Sequence, residues 1–554
     1  MAHLPTRLRR CLPLLCSVLL FLPTHLHATE TDTRPAPLFD DLGDYEVAIT
    51  TKSPDAQRYF NQGMMLAWGF NHAEAVRSFR AAQALDPACA MCFWGEAFAL
   101  GPNINKPMDP ADAPAASAAA AKADELRESI TPREQAYVDA MVKRYTAVAP
   151  GNRRPLDKAF SDAMGEVVDR FPDDLDAAAI HAEAMMNLMP WDYFTADGEP
   201  KPLTTAAIST LESILARNPD HAGAIHLYIH AVEASRTPER AEAGADRLGK
   251  LVPGSGHLVH MPSHIYLRVG RYHDATKANE LAALADESYI NQCRAQGFYP
   301  ALYYPHNVHF LWFTASLEGR SGIAIPTARK LADKVPVDLI DDVPLIEQFL
   351  AVPQYGLIRF GRWDAVLAEP KPAPGLKFAT AMWHAARGIA YAAKGDLENA
   401  HAEQRLFAGS ASWFGADAFA TYGYPAHELL AIARHLLAAG IASASDHVDQ
   451  MIGEFHAAIE IEDALPYMEP PYWFFPNRQL LGYALLKRGR VAEAEAAFRD
   501  DLKKVPSNGW SLSGLIKSLT LQGKAHAAEA LADTLQQSWS RADVAVHPGD
   551  INYF

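Results

Sequence analysis

Several things are scarce in this chain, and each scarcity excludes something. Only five of its 554 residues are cysteine. Cys11 and Cys16 lie near the start, which leaves Cys89, Cys92 and Cys293, too few for a fold built on disulfides. After the first 28 residues no stretch approaches the roughly 18 consecutive apolar residues of a membrane helix, so no membrane span is expected once that segment is removed. Basic blocks are also missing. Acidic residues number 66 against 50 Lys plus Arg, which makes nucleic acid and anionic lipid poor partners. No segment sustains period-two alternation, so essentially no sheet is expected. A P-loop, a dinucleotide fingerprint, a nucleophile elbow and a paired-carboxylate motif are all absent, so no nucleotide cofactor is expected. The pair in "CAMC" lacks the following histidine of covalent haem attachment, so neither is haem.

The start carries a targeting pattern. Arg7, Arg9 and Arg10 precede the apolar run "CLPLLCSVLLFL", and Ala28 offers a small residue at a cleavage point. The reading is a signal peptide over 1–28, a leader over 29–52, and a periplasmic or secreted protein; an uncleaved anchor is the alternative. Cleavage would remove three arginines and no acid, moving the formal charge from −16 to −19. The remainder, 49% apolar and 21% charged over the whole chain, has an ordinary globular composition. Its length calls for several domains or one repeat array.

Internal spacing points to the array. Gly63, Ala75, Phe79 and Pro87 are separated by 12, 4 and 8 residues, and Gly482, Ala494, Phe498 and Pro506 repeat those intervals. Gly388, Gly395 and Ala400 share offsets of 7 and 5 with Gly482, Gly489 and Ala494, and with Ser263, Gly270 and Ala275. Small residues at such positions let antiparallel helices approach closely, a Phe fills the space between units, and a Pro closes each unit. The expected fold is all-α, an α-solenoid of paired helices. A helical body over 53–370 would be joined through "KPAPG" (371–375) to further repeats over 376–554.

These spacings resemble the tetratricopeptide repeat (TPR) superfamily. More narrowly, "FNHAEAVRSFRAAQALDPACAMCFWGEA", "HLYIHAVEAS", "GHLVHMPSHIYLRVGRY" with "YYPHNVHFLW", and "EPPYWFFPNRQLLGYALL" resemble a group of exported bacterial repeat proteins. The likeness runs from about residue 53 to 525 of this sequence. It implies a curved superhelix with a protein or peptide partner in its concave groove, and supplies no reaction.

The repeat pattern does not explain the histidines. Of 22 in the chain, nine lie between residues 221 and 309. His226 and His230 are spaced i, i+4 on one helical face, with Glu233 a turn further on. His257, His260 and His264 follow a Gly-rich turn, and Pro262 is expected in a first helical turn, leaving His257 and His260 in an approach loop. His306 and His309 come after Pro305. Imidazole ligates zinc, copper and iron, and pairs one turn apart can share an ion. A metal site built from His226, His230, Glu233, His257, His260, His264, His306 and His309, with hydrolytic or oxygen chemistry, therefore stands beside the groove-binding reading. The alternative is a set of buried histidines bonded across helix interfaces. His72 is a peripheral candidate.

Cys89 and Cys92 begin a helix just past Pro87, and a local disulfide or two small buried residues account for them better than redox exchange. "EPPYWFFPNR" (469–478) reads either as a rigid plug between repeats or as a lip on a ligand groove, with Trp473 and Arg478 as the lip residues.

Overall fold

The computed structural model describes residues 36–544, apart from 196, 296–297, 342, 413–418 and 420–422. The signal peptide expected over 1–28 lies outside them. Among the described residues the chain is all-α, with two isolated bridges (Asn103 with Lys106, Phe194 with Pro200) and no strand. No described helix is long and apolar enough to cross a membrane.

The repeat spacing is realised as TPR-like antiparallel helix pairs. α1 (Pro54–Trp68) and α2 (His72–Leu85) form the first pair, and α3 (Ala90–Ala99) opens the next. Local sequence sets the starts. Ser53 Oγ accepts from the Ala56 N–H at 3.2 Å ahead of Pro54, and the Asn71 side chain accepts from the Glu74 N–H. Phe79 on α2 is fully buried and wedges between the flanking helices. A Cβ on Gly63 of α1 would lie 2.6 Å from its ring, and one on Gly95 of α3 would lie 2.3 Å from it. Glycine at both places is what makes room for the wedge.

The helices that carry the histidines follow: α4 (Ala222–Val232), α5 (Gly256–His260), α6 (Pro262–Val269), α7 (Tyr272–Cys293) and α8 (Tyr304–Leu317). Gly270 ends α6 with φ +82°, the left-handed conformation that lets the chain reverse into α7. Near the C-terminus α9 (Asn477–Lys487), α10 (Val491–Lys504) and α11 (Gly509–Leu521) repeat the first unit's packing. Phe498 on α10 faces Gly482 and Gly514, whose added Cβ atoms would lie 2.6 Å and 2.2 Å from its ring. The intervals counted in the sequence are the intervals of this contact.

The apolar interior forms two cores. One gathers side chains from Leu42 to Tyr303 and the other from Leu267 to Ala528. They interleave along α6 to α8. Residues 371–375 form an exposed connection with Gly375 at φ +100°, but the second core continues across them through Val366 and Phe378. The seam between the two cores thus lies in the histidine-rich region.

Candidate metal centre

Pro262 shapes the centre locally. It has no N–H to donate, so α5 stops at His260 and α6 begins afresh one residue later. The turn is already helical before the proline, because the Val259 N–H donates to Ser255 O at 2.9 Å and the Met261 N–H to His257 O at 3.0 Å. His257 and His260 therefore sit on a short helix, not in the approach loop expected from the sequence.

The histidines gather into two triads. His226, His230 and His257 form one, and His260, His264 and His306 the other; within each, the ligating atoms lie within 4.8 Å of one another. The ring centroids of the first are 4.9, 4.9 and 6.2 Å apart, and those of the second 4.8, 4.8 and 5.7 Å. The triads are adjacent, with His230 5.8 Å from His264 and His257 6.0 Å from His260. Phe70, from the first core, packs on all three rings of the first triad at 4.4–6.0 Å. Phe310, from the second core, packs on all three of the other at 4.7–5.2 Å.

Four of the six rings are held from Nδ1. His226 Nδ1 donates to Trp68 O at 2.6 Å and His260 Nδ1 to Asn279 Oδ1 at 2.6 Å. Asn279 is itself oriented, because its Nδ2 donates to Ala275 O at 2.8 Å. His230 Nδ1 lies 3.2 Å from Glu233 Oε1, and His264 Nδ1 lies 2.9 Å from both Glu233 Oε2 and Glu469 Oε2. In His226, His230 and His260, whose pKa values are lowered, the acceptor on Nδ1 fixes the proton there and leaves the Nε2 lone pair free. His226 Nε2 is 3.1 Å from His257 Nε2, and His260 Nε2 is 3.0 Å from His264 Nε2. His230 Nε2 and His257 Nδ1 are buried without a hydrogen-bond partner.

Burial sets the charge state. It lowers the pKa of His226, His257, His260 and His306 well below the ordinary value, and neighbouring imidazoles push the same way. These four are neutral imidazoles, the form that ligates a metal. His264 differs: burial works against its cation, yet Glu233 and Glu469 raise its pKa to about 10. Glu233 is likewise opposed by burial, and the facing His264 and His230 hold it low as a carboxylate. Glu469 is raised, by burial first.

A cavity of about 290 Å³ opens against the triads. His230, His257, His264 and His306 reach its wall together with Glu233 and Glu469, while His226 and His260 lie behind them. Apart from Asn105 and Gln348 the rest of the lining is apolar or aromatic, including Trp191, Tyr303, Trp312, Phe349, Tyr355 and Phe474. This volume is many times the roughly 10–15 Å³ that one water centre needs, and the lining is that of an organic-ligand pocket.

Some candidates are placed elsewhere. His309 is outside both triads, stacked on Trp312 at 5.4 Å with Phe349 edge-on at 5.5 Å, and burial lowers its pKa to about 4. It lines the cavity without facing another ligand. Trp473 and Arg478 do not form a lip on this cavity. Trp473 is buried beside Tyr355 and Phe474, and Arg478 pairs with Asp463 across 2.8 Å. The wall from that loop is made by Tyr467 to Tyr472 and Phe474, with Glu469 reaching His264. His72 opens α2 and faces Asn103, away from the triads. Cys89 and Cys92 are joined in a disulfide. Sequence reasoning missed Asn279, Phe70 and the role of Glu469. Glu469 stands 205 positions from its partner, and only the proximity of "EPPY" to aromatics hinted at it.

No family model and no curated protein matches the chain. Solved structures similar to it include the human IFIT1 dimer with m7Gppp-AAAA, at 12% identity and a TM-score of 0.29, covering 90% of this chain and 92% of that one. The yeast Tom70 is similar at 13% identity and a TM-score of 0.24, covering 88% and 95%. The APC/C hetero-tetramer Cut9-Hcn1 follows at 11% and 0.26, covering 89% and 91%. At these scores the likeness carries nothing about the site.

Proposed function

We propose that this protein is an exported metalloprotein that binds a transition-metal centre in its buried histidine cluster and acts on a small apolar or aromatic substrate in the adjoining cavity. The observation that carries the reading is the pairing of inward nitrogens. In each triad two Nε2 atoms lie 3.0–3.1 Å apart, and at least one of the two rings has its Nδ1 hydrogen on a fixed acceptor. Such a contact is closed either by an N–H of one ring donating to the lone pair of the other or by a metal ion between two lone pairs. An ion about 2.0–2.1 Å from both nitrogens would subtend roughly 95°, within the range of imidazole sites. The lining supports an organic substrate. Neutral imidazoles beside a dry wall favour a centre that polarises water or binds oxygen, so the reaction class is hydrolytic or oxygen-dependent. The segment expected to direct export and the Cys89–Cys92 disulfide support a periplasmic or secreted location. The other expectation, a protein or peptide in a concave groove, rests on the repeat architecture alone.

Elemental analysis of the mature chain, purified without a histidine tag or chelator, tests this reading. Near-stoichiometric zinc, copper or iron that disappears in His264→Ala and His257→Ala supports it. Wild-type protein that is folded and refuses all three added metals overturns it.

A further inference from the structure

We propose that the two triads are separate cups and that the centre holds two transition-metal ions side by side. This rests on the metal reading above and adds the number and arrangement of the ions.

Six imidazoles are more than one ion takes in a protein of this kind, where three or four protein ligands are usual. The structure divides them by more than proximity. Each cup draws two histidines from an i, i+4 spacing, His226 with His230 and His260 with His264, and a third from another helix, His257 or His306. In each, the ring farthest from the cavity is pinned at 2.6 Å by a neutral oxygen, Trp68 O for His226 and Asn279 Oδ1 for His260. Each has one close Nε2 pair, and each is backed by a single phenylalanine from a different apolar core. In each, the remaining two rings reach the cavity wall, so both cups open on the same space. Phe70 is held at φ +56°, a conformation bulky residues rarely adopt, in the place that backs the first cup.

Glu233 joins the cups. Its Oε1 faces His230 Nδ1 of the first and its Oε2 faces His264 Nδ1 of the second, at 3.2 and 2.9 Å. One carboxylate thereby sets the ring orientation on both sides, so the two inward nitrogen sets are aimed by a common group. His230 Nε2 is buried with no partner, which leaves the first cup a third nitrogen for an ion beyond the His226–His257 pair. Two ions a few ångströms apart, facing one cavity, can hold a small bridging ligand or substrate atom between them.

Anaerobic titration of metal-free, full-length protein with copper(I), and separately with zinc(II), gives the test. At least one metal should bind to two equivalents per chain, and X-ray absorption of that loaded protein should show a metal–metal distance under about 5 Å. His226→Ala/His257→Ala and His260→Ala/His306→Ala should each keep one equivalent. Saturation at a single equivalent, or two equivalents without metal–metal scattering, overturns the paired arrangement and leaves the metal reading standing. Two equivalents kept by either double variant overturns it as well, because the ions would then lie elsewhere. No uptake of either metal, nor of iron(II) titrated in the same way, removes both readings. The wild-type stoichiometry and scattering stand whether or not the variants fold.

Discussion

Asn279 touches no cavity and faces no metal position, yet it should control the affinity of one cup. Its Oδ1 accepts from His260 Nδ1 at 2.6 Å, and its own amide is held by Ala275 O. Asn279→Leu removes that acceptor while keeping a side chain of similar size. The His260 ring is then free to turn, and its lone pair loses the polarisation that a partner on the opposite nitrogen supplies. Loss of such an outer partner typically weakens a metal site by about 10–100-fold, or about 1.4–2.8 kcal/mol. Ser263 Oγ lies 3.2 Å from the same Nδ1 and can take over part of the bond. The single variant should therefore sit near the lower bound, and Asn279→Leu/Ser263→Ala near the upper one.

The assay is metal titration against a chelator of known affinity, resolving the tighter and weaker steps. One step should move and the other stay, since the first cup is pinned by Trp68 O and has no contact with Asn279. A thermal melt of the metal-free protein supplies a separate reading. An orphaned buried N–H costs about 1–3 kcal/mol in stability whatever the role of the ring. A stability loss with no change in either metal step would refute the reasoning and assign Asn279 to folding alone. So would equal weakening of both steps, because the two cups would then not be distinct.

Three further outcomes follow from other parts of the molecule. Gly63→Ala places a Cβ 2.6 Å from the Phe79 ring and should destabilise by about 1–3 kcal/mol; Gly151→Ala, with nothing within 4 Å, should be close to neutral in the same denaturant titration. Glu183 is buried, and burial raises its pKa from 4.5 to about 7 against the opposing effects of Arg144 and Asn187. A raised carboxylate pKa means the folded state loses stability as pH climbs through that interval, by up to about 3 kcal/mol above it. Glu183→Gln should accordingly be more stable than wild type at pH 8 and similar to it near pH 4.5, and equal melts at both would contradict the assignment. Ile346→Trp narrows the cavity from its apolar lining; binding of 1-naphthol, followed by its fluorescence, should fall while metal content stays unchanged.

How much of this was legible in the sequence differs between fold and site. The repeat intervals were readable because each residue of the wedge acts within one unit and its neighbour: Gly63, Phe79 and Gly95 meet across 32 positions. The histidine groups were readable as groups for the same reason, since an i, i+4 pair shares a helical face. Their sorting into triads was not. His306 joins His260 and His264 while His309, one turn away, turns to Trp312, and that choice depends on how α8 rotates against α6. Residues 256–260 are helical where the sequence leads one to expect a loop, because Pro262 only interrupts a helix that begins after Ser255. Glu469 is hidden by distance, and the aromatic residues beside it point instead to Trp473 and Arg478, which are not part of the cavity lining.

The position of the site on the seam has an energetic consequence. The first triad packs on a phenylalanine of one core and the second on a phenylalanine of the other, and Glu469 closes the set from the far half of the chain. Neither core holds a complete set of partners for both triads. Without a metal, the buried assembly contains the protonated His264 between Glu233 and Glu469 and two imidazole nitrogens with no hydrogen-bond partner, groups costly to hold in a low-dielectric interior. A ligand that binds only the folded form stabilises it by RT ln(1 + [L]/Kd), about 4 kcal/mol at a thousandfold excess over Kd. That gain falls on the contacts that join the two cores. A metal bound there would therefore stabilise the seam itself, and the helical array on either side supplies the frame that keeps the two histidine triads beside one cavity.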